Sequence, residues 1–433
     1  MRSSVRRAVA LIALLSTILA GCGGGTGDQA NGDASEGQVT IEWWHIWTDQ
    51  RGDALQAIAD EYMKQHPNVK IEITVLENEA FKQKIAAVMQ SGSPPDLFQS
   101  WGGGTLREYA KAGLVKDITA DLQQDGWGDT FEKAFLDMMA VDGRYYGVPL
   151  SIGIVGFWYN KELFAKAGIP SPPKTWDELL DAVRKLKAAG ITPIALGEGE
   201  KWPGHFYWAY LALRLGGREA FEKAYTRSGG SFADAPFVEA GRKLQELLAL
   251  EPFQQGFLSA TYADASALVG NGMAAMELMG HWAPAIQKEN STDKQGLGDK
   301  LGFFPFPAVP GGQGDPADVL GGGDAIAVGR DAPPEAIDFL KFLTKKENLK
   351  PMVEQGFVIP VVKGAEEYLT DPLMKELVAI RNNASYLQLY YDQVLPPSAA
   401  AAVNDAVQNL MAGKMTPEQV AQHIEEAAAA ALR

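Results

Sequence analysis

Three tryptophans stand where contact chemistry can be done. Trp101 lies in Gln99-Ser100-Trp101-Gly102, Trp202 in Lys201-Trp202-Pro203-Gly204-His205, and Trp282 in Gly280-His281-Trp282-Ala283. Each is a glycine- or proline-bearing loop with polar neighbours, and loops on a rigid scaffold carry function. Trp43, Trp158 and Trp176 differ: they sit in strand-like or helix-framing patterns and read as core. Polar candidates accompany the three. His45 and Gln99 end strand-like runs, Glu79 opens a helix, His205 follows Trp202, and Asp324 follows Gly323 in a run of three glycines that permits close backbone approach. The carboxyl edge of an α/β sheet is where ligands bind. Flat aromatics beside fixed donors and acceptors suit a ligand with apolar faces and a polar rim. His45 reads equally well as a satisfied buried histidine, and Trp101 as a plug on its own domain.

Groups for metal, thiol or nucleotide chemistry are missing from the pattern. The sequence has no HExxH, GxSxG or Cys/His constellation, and its five histidines lack metal-ligand spacing, so no metal and no cofactor is expected. Gly102–Gly104 precede a helix but lack the Lys-Ser/Thr of a phosphate loop. The formal net charge of −15 opposes nucleic acid and anionic lipid surfaces as partners.

The elements that must position these residues begin after an unusual N-terminus. Arg2, Arg6 and Arg7, an apolar run from Ala8 to Ala20, then Gly21 follow the order of an export signal. Thirteen helical residues reach roughly 20 Å, short of a ~30 Å hydrocarbon layer, so residues 1–21 are expected to be cut off rather than to span. Removing those three positive charges from −15 leaves −18. Leu19-Ala20-Gly21-Cys22 resembles the lipobox of bacterial lipoproteins, which implies diacylation of Cys22, the single cysteine. Residues 22–38 hold no large apolar side chain beyond that cysteine and read as a flexible tether.

From Val39 the pattern alternates. Strands are expected at 39–44, 69–76 and 96–99, and helices at 53–65, 81–90 and after Gly104, which predicts an α/β fold with a mostly parallel sheet. An apolar segment over 148–158 then leads into a more helical half, with helices near 176–189, 208–215, 236–250 and 264–271. Short strands return at 274–278 and 324–328. Thr416 caps a terminal helix over 417–431.

These segments resemble the solute-binding proteins of ABC importers, specifically the carbohydrate binders that include the maltose-binding protein. The resemblance rests on Trp158-Tyr159-Asn160-Lys161-Glu162-Leu163-Phe164 with Gly168, Pro170 and Pro173-Lys174-Thr175-Trp176-Asp177-Glu178-Leu179. Gly272–Met276, Gly280-His281-Trp282, Phe304-Pro305-Phe306-Pro307 and Ala412–Glu418 add to it. It implies a two-lobe periplasmic-binding-protein-like fold of type II, with sheets flanked by helices and the ligand cleft between lobes. The expected partition is 39–147 plus 279–345 for lobe 1 and 148–278 plus 346–433 for lobe 2, with crossings near 148, 278 and 345. Glu77–Lys82, Asp96–Gly104 and Gly321–Ala325 resemble actinobacterial binders of β-linked disaccharides of the xylobiose and chitobiose type.

The implied ligand is therefore an oligosaccharide, bound at His45, Glu79, Gln99, Trp101, Trp202, His205, Trp282, Gly323 and Asp324. Backbone N–H groups of the 102–104 glycines would meet a sugar hydroxyl. The implied partners are the transmembrane subunits of a permease and, through the lipid, the outer face of the cell membrane; the chain is expected to be a monomer and not an enzyme. An exported glycoside hydrolase, needing two carboxylates about 5 to 9.5 Å apart, and a ligand-presenting sensor of the same fold are the rivals.

Overall fold

A strand with apolar residues on both faces needs cover on both. In β1 (Val39–His45), Ile41 and Trp43 point to one side and Trp44 to the other, and all three are buried. The helix Gln50–Gln65 covers the first side with Leu55, Ala59 and Tyr62; the helix Asn78–Ser91 covers the second with Phe81, Ile85 and Met89. The computed structural model describes residues 37–432. The export segment, Cys22 and nearly all of the tether lie outside the described residues.

The strands form two main sheets. After β1 come β2 (Val69–Val75), β3 (Leu97–Ser100), the small hairpin β4 (Ala140–Val141) and β5 (Arg144–Tyr145), then β6 (Gly147–Ile154). Then follow β7 (Gly156–Asn160), β8 (Thr192–Ile194), β9 (Ala274–Met279), β10 (Leu301–Phe304), β11 (Val319–Val328) and β12 (Leu387–Leu389). The larger sheet runs β12-β11-β3-β1-β2 with β6 also on β11; the smaller runs β10-β7-β9-β8. Pairing is parallel at β1–β2, β1–β3, β8–β9 and β11–β12. It is antiparallel at β3–β11, β6–β11, β7–β9 and β7–β10, so β11 runs against β3 and β6, and β7 against both of its neighbours.

The apolar run expected over 148–158 is two strands in two sheets. They part at Val155, whose N–H donates to the Leu320 carbonyl at 2.8 Å and whose carbonyl accepts the Tyr210 hydroxyl at 2.5 Å. Sheet membership also differs from the expected segmentation at two places. β10, inside 279–345, pairs with β7 in the smaller sheet, and β12, inside 346–433, pairs with β11 in the larger. By sheet membership the chain crosses at Val155 and between Phe304 and Val319; after Leu389 it continues as helices, of which Pro397–Met411 packs on the helix Trp202–Tyr225.

Local signals are kept. The Asn160 side chain caps the helix Lys161–Lys166 by accepting from the N–H groups of Glu162 and Leu163. Thr175 and Glu178 form the reciprocal capping box of the helix Trp176–Ala188, and Thr416 with Gln419 does the same for Pro417–Ala431. No helix of the described residues is long and apolar enough to cross a membrane.

Candidate functional site

Between the two sheets lies a cavity of about 480 Å³, within the ~300–1,000 Å³ of small-molecule clefts. Its walls come from segments far apart in sequence. The loop after β1, the start of the helix Asn78–Ser91, Trp101 after β3, and Gly322–Asp324 of β11 form one side. Glu200–Phe206, Tyr262 and His281–Asn290 form the other, and Tyr390–Gln393 closes one edge.

The aromatic wall is fixed by hydrogen bonds. Trp202 opens the helix Trp202–Tyr225 with Pro203 in its first turn, after Lys201 held in the left-handed region at φ 68°. Its indole N–H donates to Glu200 at 2.9 Å, and the other oxygen of Glu200 accepts the Tyr262 backbone N–H at 3.0 Å. One carboxylate thus sets two rings, which meet edge to face at 5.3 Å. Trp282 lies over Gly280, where a Cβ would stand 2.2 Å from its ring, and packs edge-on to Tyr390 at 6.5 Å. Trp101 packs edge-on to Phe81 at 6.0 Å with the Lys82 ammonium 5.8 Å from its ring.

Polar groups reach the same space. Asp324 accepts from the Gln99 amide at 2.7 Å; burial raises its carboxyl above the usual range, while Arg51 and the bonds from Gln99 and Trp101 pull it back. An extra residue in β6, Leu150, sits opposite the Asp324–Ala325 junction, a bulge of the kind that re-aims a side chain beside a site. Tyr390 is buried, lines the cavity, and its hydroxyl has no partner among the described residues. Burial pushes that phenol well above its ordinary value, so it stays a neutral donor. His281 stands over Gly153, with Nε2 3.1 Å from the Ser151 hydroxyl, which itself accepts the Ile359 N–H. Burial first, then Arg51 and Arg381, lowers His281 to about 3, so it is neutral.

Of the nine residues expected at the site, Glu79, Trp101, Trp202, Trp282, Gly323 and Asp324 line the cavity. His45, Gln99 and His205 stand behind its wall. His45 is sealed between Trp43 and Trp47, accepts the Trp47 N–H at 3.3 Å, and is lowered to about 4 by burial. Gln99 supports Asp324. His205 donates from Nδ1 to the Trp202 carbonyl at 2.6 Å, since a carbonyl only accepts, and is fully buried. Glu79 faces the cavity but is held by Asn78 and Lys82 of its own helix.

The 102–104 glycines serve packing instead of a ligand. A Cβ on Gly103 would stand 2.3 Å from the Gln393 carbonyl oxygen and one on Gly104 2.0 Å from that of Leu395, so the glycines admit a close backbone approach, and none of the three lines the cavity. Arg51, Glu200, Tyr262 and Tyr390 were not among the expected residues. Tyr390 had a usable signal: Tyr390-Tyr391-Asp392-Gln393 mixes aromatic and polar residues ahead of Pro396-Pro397, as the tryptophan loops do. No cluster of metal-ligating side chains occurs among the described residues.

Comparison with known proteins gives a consistent picture. Residues 47–350 match the family model described as bacterial extracellular solute-binding protein. An uncharacterized ABC transporter extracellular-binding protein of Pyrococcus horikoshii is 28% identical over 93% of this chain and 90% of its own length. A structure from work on xylan utilization by the thermophilic bacterium Caldanaerobius polysaccharolyticus has a TM-score of 0.84 at 30% identity, covering 90% of this chain and 99% of that one. A chitin oligosaccharide binding protein has a TM-score of 0.83 at 28% identity, over 91% and 99%.

Proposed function

The chain belongs to the bacterial extracellular solute-binding protein family, and from that premise we propose that it captures a short β-linked oligosaccharide for import. It is the sugar-binding subunit of an ABC importer, exported to act outside the cytoplasm, and a binder rather than an enzyme. The proposed ligand is of the xylobiose, xylo-oligosaccharide or chitobiose type, in keeping with what two structural neighbours are described as serving. One observation carries the reading: a cavity of about 480 Å³ walled by Trp101, Trp202 and Trp282, with Asp324 and the free Tyr390 hydroxyl beside them. Pyranose rings offer C–H faces to indoles and hydroxyls to fixed donors and acceptors.

We further propose that a lobe around each sheet closes on the sugar by hinge motion at the crossings named above, Val155 among them. The closed form docks on the permease. Diacylated Cys22 and the 22–38 tether hold the monomer at the outer face of the membrane, near that permease.

The test is calorimetry of the mature protein with xylo- and chito-oligosaccharides, followed by chromatography. Saturable heat with the sugar recovered intact is the expected result; released product or absent heat with every sugar would refute it.

A further inference from the structure

The cavity meets its ligand with an excess of negative charge. Glu77, Glu79, Glu200, Glu289, Asp324 and Asp392 line it, against Arg51 and Lys82. Both cations are already matched: Arg51 Nε lies 2.8 Å from Asp49 and Lys82 Nζ 2.8 Å from Glu79. Glu200 is occupied by Trp202 and Tyr262, and Asp324 by Gln99. Glu77 and Glu289 are different, since neither carboxylate has a hydrogen-bond or ion-pair partner among the described residues.

These two come from opposite walls. Glu77 precedes the helix Asn78–Ser91, and Glu289 sits in the last turn of the helix Ala283–Asn290. They feel each other: burial first, then Asp49 and Glu77, raise the Glu289 carboxyl, while Arg51 and Lys294 act the other way. Tyr390, 7% exposed with its unpartnered hydroxyl at the same cavity, points independently to a ligand that hydrogen-bonds there. A ligand carboxylate entering would bring a third negative charge beside two carboxylates that no cation pairs directly. A neutral hydroxyl would instead donate to them.

We propose that the cleft selects sugar chains by charge, accepting neutral ones and refusing acidic ones, with Glu77 and Glu289 as the specificity-determining pair. The inference rests on the sugar-binding reading above and narrows it. A neutral chain donates hydroxyl hydrogen bonds to both carboxylates as the walls approach, which offsets part of the repulsion that opposes closure. An acidic chain adds to that repulsion. Two like charges near 4 Å in water repel by enough that the pair should cost an anion about tenfold or more in affinity at low salt.

The experiment uses probes of equal size: xylotriose, its reduced alditol, and the aldonic acid that differs from the alditol by one carboxylate. Calorimetry is run on wild-type protein and on the Glu77→Gln/Glu289→Gln double variant, at low and high salt, with melting curves confirming that both are folded. The alditol should bind about tenfold or more tighter than the acid to wild type at low salt. That ratio should fall toward one in the double variant and at high salt. An acid that binds wild type as tightly as the alditol, a ratio unmoved by the double variant, or equal loss of both probes would overturn charge selection while xylotriose binding keeps the sugar reading intact. Where xylotriose gives no heat, the same three probes are made from chitotriose; no heat from either series would overturn the sugar reading and this inference with it.

Discussion

Replacing Tyr390 with Phe removes one oxygen from a place where the ligand-free protein makes no use of it. The ring is fixed on three sides. A Cβ at Gly322 would stand 2.4 Å from it, Phe206 packs at 5.2 Å, and Trp282 meets it edge-on at 6.5 Å. Phe keeps all of these contacts. The hydroxyl is buried and unpartnered, a state that costs about 1–3 kcal/mol per group, so its removal should leave stability unchanged or raise it by up to ~1 kcal/mol. In the complex the same oxygen is expected to bond to the sugar, a net ~0.5–1.5 kcal/mol, and its loss should weaken binding roughly twofold to tenfold. Tyr210→Phe is the comparison, because that hydroxyl already donates to Val155; its loss should cost about 1 kcal/mol of stability. Chemical denaturation and calorimetry read the two quantities. A Tyr390→Phe protein that is clearly less stable, or that binds its sugar as tightly as wild type, would refute the reasoning.

Three further outcomes are expected. Trp202→Ala or Trp282→Ala should weaken sugar binding by several-fold to hundreds-fold with a cooperative melt retained; an unchanged dissociation constant would return that ring to the core. Glu277, buried on β9 and bonded to Gln287 at 2.6 Å, is raised to about 7 by burial, so the folded state holds a proton that the unfolded state releases near 4.5. Its contribution to stability therefore falls as pH rises from about 4.5 to about 7, and Glu277→Gln should remove that loss, read as a melting-temperature difference from wild type that grows across the window. His45 and His281, both lowered, act oppositely over the acid range, and the difference between the two proteins cancels them. Gly153→Ala would set a Cβ 1.9 Å from His281 Nδ1 and should cost about 1–3 kcal/mol, seen by denaturation; no loss would mean the ring moves freely.

Features determined within a few residues were readable from the chain. The Ile41/Trp43 alternation, the caps at Asn160, Thr175 and Thr416, and the exposure of loop tryptophans all depend on near neighbours. What was not readable depends on distant partners. Nothing local says that β10 joins β7 or that Val155 divides two sheets. The 102–104 glycines resemble a ligand nest until Gln393 and Leu395 are seen packed against them. His45 ends β1 and Gln99 lies near the end of β3, while His205 stands in the first turn of a helix where a loop was expected; position along the chain does not tell which side of the cavity wall each takes. Glu200 escaped notice because its role, orienting Trp202 and Tyr262 together, exists only once both segments meet.

The central claim, that this cavity is a sugar site walled by tryptophans, is tested most directly by a thermal-shift screen of β-linked oligosaccharides on wild type and on the Trp202→Ala/Trp282→Ala double variant. A ligand that binds only the folded state raises the melting temperature, by about 2.7 kcal/mol of stability at a hundredfold excess over its dissociation constant. At least one xylo- or chito-oligosaccharide should raise it for wild type and lose most of that effect in the variant. A sugar that stabilises both proteins equally, or a screen in which none stabilises wild type, would contradict the account.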